Sequence, residues 1–188
     1  MEAVNLPNDT FERAIMTKPL LFCFEPIADS NAEILILGSM PGQESLAANQ
    51  YYANRRNVFW KIMAELLGFD PDTPYDARLH ALKTARIALW DVLQSCTRVG
   101  SLDAKIAADS ITVNDFQRFF DTHDKIRAVL FNGAKAESAY RQHVLPTVST
   151  VPVSYVRLPS TSPAHAALSY EQKLQAWRTA FSTYAISF

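Results

Sequence analysis

Gly38-Ser39-Met40-Pro41-Gly42 sets a hydroxyl between two glycines, directly after the apolar run at residues 33–37. Glycine admits close approach of backbone to a ligand, and serine both donates and accepts a hydrogen bond. Tyr51-Tyr52-Ala53-Asn54-Arg55-Arg56-Asn57-Val58-Phe59-Trp60 follows, with an amide and two cations just ahead of an aromatic pair. Asp91 ends a second apolar run, at Trp90-Asp91, and Asn132 ends a third. A fourth run closes in Leu158-Pro159-Ser160-Thr161-Ser162-Pro163-Ala164-His165, small hydroxyl residues in a proline-bounded loop. Ser39 with His165 as base would make a serine hydrolase. However, Ser39 lacks the Gly-x-Ser-x-Gly elbow, and no acidic residue near His165 is placed to orient it. A binding module without catalysis is the non-enzymatic alternative.

These residues must be carried by elements that bring them together. Four strands are predicted, at residues 33–37, 86–90, 127–132 and 153–158, the first a nearly continuous apolar run of the kind buried on both faces. A helix is predicted over 57–67, where Phe59, Ile62, Met63, Leu66 and Leu67 recur every three or four positions and Gly68 suits the C-terminal cap. Thr112-Val113-Asn114-Asp115 resembles a capping box before a helix carrying Phe116, Phe119 and Phe120. Ser169 and Gln172 form a second capping box, before a helix with Tyr170, Leu174, Trp177, Phe181 and Tyr184 on one face. Strands alternating with helices imply an α/β fold with a parallel sheet covered on both sides. Such sheets bind ligands beyond the carboxyl ends of their strands, where Gly38 and Gly133 both sit. The segments above therefore converge on one sheet edge.

A length of 188 residues suits one domain spanning 1–188, with 1–30 as an arm packed on it around Leu20-Leu21-Phe22-Cys23-Phe24. Hydrophobic residues make up 48% of the chain, enough for one substantial core. No apolar run approaches the ~20 residues of a membrane span. Met1-Glu2-Ala3-Val4-Asn5 lacks the basic start of a signal peptide, so a cytoplasmic monomer is expected. Cys23 and Cys96 lack metal-ligand spacing, and neither disulfide nor zinc is expected. A net charge of −1 argues against a broad polyanion-binding surface and leaves room for a local basic face.

Taken in order, Gly-Ser-Met-Pro-Gly, Tyr-Tyr, Arg-Asn-x-Phe-Trp, Leu-Trp-Asp-Val-Leu, Phe-Asn-Gly and Leu-Pro-Ser-Thr-Ser-Pro-Ala resemble the motifs of the hypoxanthine-DNA glycosylases, within the uracil-DNA glycosylase superfamily. The resemblance spans residues 34–166. It implies a three-layer α/β/α sandwich around a short, mainly parallel four-stranded sheet. It also implies a monofunctional enzyme that flips a deaminated base out of DNA, preferably hypoxanthine, with uracil or xanthine as alternatives. The N-glycosidic bond would be hydrolysed to leave an abasic site, with no metal or organic cofactor implied.

Such chemistry needs a positioned water and polar groups to steady charge on the leaving base. The resemblance implies the water-positioning role for Asn57, whose amide can accept a water proton without carrying charge. Asn57 also precedes a helix, where Asn caps well, and both roles stay open. Sister families carry Asn or Asp where Ser39 stands, and some carry His where Ser160 stands. Gly38, Ser39, Met40, Pro41, Gly42, Tyr52, Phe59, Asp91 and Asn132 are then expected to form the base pocket. Tyr52 would stack on the base or pack beside Tyr51. Asp91, ionised or protonated, would read a base edge or cap a helix. Asn132 would read it too or satisfy backbone groups. Arg55, Arg56, Lys61, Ser160, Thr161, Ser162, Pro163 and His165 are expected to contact DNA, against a reading as surface charge and polar turn.

Overall fold

The computed structural model describes residues 19–149 and 153–184. Its centre is a four-stranded sheet built from β2 (Ile34–Gly38), β3 (Ile87–Asp91), β6 (Ala128–Asn132) and β7 (Ser154–Leu158). The order is β3-β2-β6-β7, and every neighbouring pair is parallel. All five residues of β2 are buried, as are all five of β3. That explains their unbroken apolar character, since a strand covered on both faces has no side to leave polar.

Alternation along β2 divides the interior into two cores. Leu35 and Leu37 pack with α4 (Phe116–Thr122) and α5 (Ala134–Ala139), through Phe116, Phe119, Phe120, Ala136 and Ala139. Ile34 and Ile36 face α2 (Phe59–Leu67), α3 (Tyr75–Thr84) and α6 (Tyr170–Thr183), through Phe59, Ile62, Leu82, Trp177 and Phe181. The result is the three-layer α/β/α sandwich expected. Each fully buried aliphatic or aromatic side chain contributes about 1.5–3 kcal/mol to holding the layers together.

A second, antiparallel sheet was not foreseen. β1 (Leu20–Phe22), β4 (Leu93–Thr97) and β5 (Thr112–Val113) pair in the order β1-β4-β5. The arm residues therefore enter as a strand, with Leu21 and Cys23 packed against the first core and Leu20 and Phe22 exposed. Residues 1–18 of the arm lie outside the described residues.

Two helix starts also differ from expectation. Thr112 belongs to β5, and α4 is capped instead by Asp115, whose carboxylate accepts the Arg118 amide at 3.0 Å. The residue at the N-cap of α2 is Val58, one position after Asn57. Asn57 still helps to start the helix, because its Oδ1 accepts the Phe59 amide at 3.0 Å. The capping box on α6 forms as expected, with both Ser169 and Gln172 bonding each other's backbone. Among the described residues no helix is long and apolar enough to cross a membrane.

Candidate active site

Parallel register sets the carboxyl ends of the four strands side by side. Gly38 pairs with Asp91, and Asn132 with Leu158. The loops leaving these ends enclose a cleft of about 650 Å³. Its lining includes Gly38, Ser39, Met40, Pro41, Gly42, Tyr52, Arg56, Asn57, Asp91, Asn132, Ser160, Thr161, Ser162, Pro163 and His165. Most of the residues singled out in the sequence thus meet in one place.

Three do not. Phe59 is fully buried and lies behind Tyr52, stacked on it at 4.1 Å between ring centroids. Its apolar ring belongs to the second core, so it supports the pocket and touches nothing within it. Lys61 sets its ammonium over the ring of Tyr170, 3.9 Å from the centroid, and is outside the cleft lining. Arg55 is exposed and outside the lining, next to Arg56.

Asp91 and Gly38 press together on the cleft floor. A β-carbon on Gly38 would stand 2.3 Å from Asp91 Oδ1 and 3.0 Å from the Tyr52 hydroxyl. Only glycine leaves room for both. Asp91 caps no helix, since β4 follows it after Val92 alone. Its Oδ2 is buried and has no hydrogen-bond partner among the described residues. Burial pushes the carboxyl up to about 8, the charge of Asp103 pushes the same way, and Arg98 opposes. At neutral pH Asp91 is therefore predominantly a protonated acid that can donate as well as accept.

Tyr52 adopts a left-handed backbone, φ 55°, which swings its ring into the cleft. With one face stacked on Phe59, the ring is a fixed platform. Its hydroxyl accepts from Asn132 Nδ2 at 3.0 Å, and burial keeps the phenol neutral. Asn132 also donates to Thr161 Oγ1 at 2.9 Å and accepts the Thr161 amide at 2.9 Å. Both its amide hydrogens are thereby committed to the protein. Thr161 is fully buried for the same reason. The two loops interlock at Gly133, φ 101°, where a β-carbon would stand 2.8 Å from Ser160 Cβ.

The last loop is pinned from beneath by Lys173, which is 6% exposed. Its ammonium donates to the carbonyls of His165 at 2.7 Å and Ser162 at 3.4 Å. The Val58 amide reaches the Thr161 carbonyl at 3.1 Å and so ties α2 to the same loop. Asn57 keeps one oxygen lone pair and its amide hydrogens for the cleft after binding Phe59.

Ser39 is committed elsewhere than the hydrolase alternative requires. Its hydroxyl donates to Asp103 Oδ2 at 2.5 Å, and no hydrogen bond joins it to His165. Asp103 in turn faces Arg98, which is 1% exposed. The Arg98 guanidinium donates to the carbonyls of Pro41 and Gly100 and stands 3.5 Å from Asp103 Oδ1. Arg98, Asp103 and Lys173 gave no local signal in the sequence. Their partners are loop backbone groups or residues up to 64 positions away. Among the described residues no cluster of three His, Cys, Asp or Glu side chains is arranged to hold a metal ion.

Comparison with known proteins agrees with this architecture. A family model described as the uracil DNA glycosylase superfamily matches residues 25–183. A protein of Methanosarcina acetivorans named hypoxanthine DNA glycosylase is 40% identical over 135 residues, covering 67% of this chain and 84% of the relative. One of the same name from Methanosarcina barkeri is 42% identical over 114 residues, covering 60% and 71%. A solution NMR structure from Methanosarcina acetivorans, described as a candidate uracil DNA glycosylase, superposes with a TM-score of 0.74 at 34% identity. It covers 88% of this chain and 99% of its own. The chain belongs to the uracil DNA glycosylase superfamily.

Proposed function

We propose that this glycosylase excises hypoxanthine from deoxyinosine in DNA by hydrolysing the N-glycosidic bond, acting as a monomer and leaving an abasic site. The names of the two relatives support that substrate. The observation that carries it in the geometry is the buried Asp91 carboxyl, with Oδ2 unpartnered among the described residues, lining the cleft beside the backed ring of Tyr52. A neutral carboxyl presents a donor and an acceptor together. Hypoxanthine offers the matching pair, O6 to accept and N1–H to donate.

Bond cleavage sends the electron pair of the sugar–base bond into the base, where negative charge builds partly on O6. A donor held in place at O6 in a water-poor site stabilises that charge without reorganising. Tyr52 stacks on the extruded ring, which is worth about 1–3 kcal/mol per base. Asn57 helps to orient the attacking water by donating an amide hydrogen to the water lone pair that does not attack, since its Oδ1 already holds the Phe59 amide. Ser160, Ser162 and Pro163 meet the sugar–phosphate at the mouth, and Arg56 supplies a phosphate contact at the rim.

The test is to incubate the protein with matched duplexes containing hypoxanthine, xanthine, uracil or adenine and to score abasic sites. Hypoxanthine is expected to be released fastest and adenine not at all. Faster release of uracil would overturn the substrate assignment. Duplex binding with no release of any base would make this a binding module.

A further inference from the structure

The link between Ser39 and Asp103 is not explained by base recognition. A carboxylate is costly beside a cleft unless something holds its charge. Here it sits in a loop that Arg98 anchors from inside the protein, through Pro41 on one side and Gly100 on the other. The same guanidinium faces Asp103 Oδ1, so the loop and the charge are fixed by one buried cation. The Asp103 side chain is 35% exposed and lines the cleft.

The direction of the hydrogen bond matters. Ser39 spends its only hydrogen on Asp103 Oδ2. Its oxygen then offers the cleft lone pairs alone. An ionised carboxylate has about four acceptor sites, of which Ser39 occupies one. Two neighbouring acceptors without a free donor between them suit a water molecule, which has two hydrogens to give.

We propose that Asp103 is the base that takes the proton from the attacking water, with Ser39 as the second acceptor that orients it. The inference rests on the glycosylase reading above. The water oxygen forms a bond to C1′ as the bond from C1′ to the base nitrogen breaks. The electron pair of the broken bond leaves with the base. The water proton passes to Asp103, which becomes a neutral acid, and the departing base anion takes a proton from solvent. The negative Asp103 also faces the sugar while it carries positive charge, which favours the same transition state.

Several groups act on the charge of Asp103. Burial raises its pKa, whereas the Ser39 hydroxyl, Arg98 and Lys135 lower it. Asp91 and Tyr52 feel its charge, and His165 lines the same cleft. The experiment is single-turnover release of hypoxanthine from pH 5 to 9 by the wild type, Asp103→Asn and Ser39→Ala. Binding to a duplex carrying a tetrahydrofuran abasic analogue and thermal melting are measured alongside.

The wild type is expected to lose activity toward acid pH. Asp103→Asn is expected to be at least about 100-fold slower with that acid limb gone, and to bind the abasic duplex as the wild type does. Ser39→Ala removes a bond that favours the ionised acid, so its acid limb should move to higher pH. A clip that merely held the loop would shift neither limb. Activity of Asp103→Asn within about threefold of the wild type overturns the proposal. An unmoved limb in Ser39→Ala does so too, and decides the matter if Asp103→Asn fails to fold. A wild type that releases no base refutes the glycosylase reading instead.

Discussion

Asp91 joins two demands that oppose each other. The proposed recognition of the base needs a neutral donor at the cleft floor, and Asp91 would supply it as a carboxyl buried without a partner for Oδ2 among the described residues. The folded state keeps that proton up to about pH 8, whereas an unfolded chain releases it near 3.8. Between those values the folded state binds more protons, so stability falls as pH rises. The contribution of the protonated carboxyl is complete below about pH 4 and lost above about pH 8. Asp91→Asn removes the titration while keeping the shape. Its melting temperature should exceed that of the wild type by a margin that widens from pH 5 to pH 9, while hypoxanthine release falls. A margin equal at both ends of the range would show that Asp91 is not held protonated by the fold.

At the scale of elements, the end of β2 is the most constrained point of the site. A methyl group on Gly38 must displace the buried Asp91 carboxyl or the Tyr52 hydroxyl, which Asn132 holds by a hydrogen bond. Gly38→Ala is therefore expected to slow base release about 100-fold or more. Gly42→Ala, whose β-carbon would meet Ser101 at an ordinary 3.5 Å, should lose far less. Comparable losses in the two would mean that the loop matters only as a flexible hinge. The strand itself was legible in the sequence because burial on both faces leaves an uninterrupted apolar run. So was the capping box of α6, which is written in two residues three apart. The antiparallel sheet was not, since β4 mixes Gln94 and Ser95 with apolar residues and β5 is two residues long. Thr112 looked like a helix cap for that reason. Most motif residues of the cleft were readable because they follow strand ends, and Tyr52, Arg56 and Asn57 because they lead into the amphipathic α2. Arg98 and Asp103 were hidden because their meaning lies in contacts with Pro41 and Ser39, far away in the chain.

Over the whole molecule, a net charge of −1 must coexist with binding to a polyanion. The cleft lining carries the acidic Asp103 and Glu44, so attraction to phosphate has to come from a few cations at the rim. Arg56 lines the mouth, and Arg55 is exposed beside it. Lys61 is held over Tyr170 and is outside the cleft lining. Each phosphate neutralised on duplex DNA contributes about −0.9 to the slope of log affinity against log salt. Two or three such contacts predict a slope of about −2 to −3 for duplexes carrying the abasic analogue. Arg56→Ala should bring the slope about one unit closer to zero, and Lys61→Ala should leave it where it was. A slope of about −6 or steeper would require a basic face other than the one at this cleft. A small slope has a consequence for discrimination, because non-specific binding is almost wholly electrostatic. With little affinity for undamaged backbone, the proposed enzyme would depend on what the extruded base gains from Tyr52 and Asp91, and so on the base being the right one.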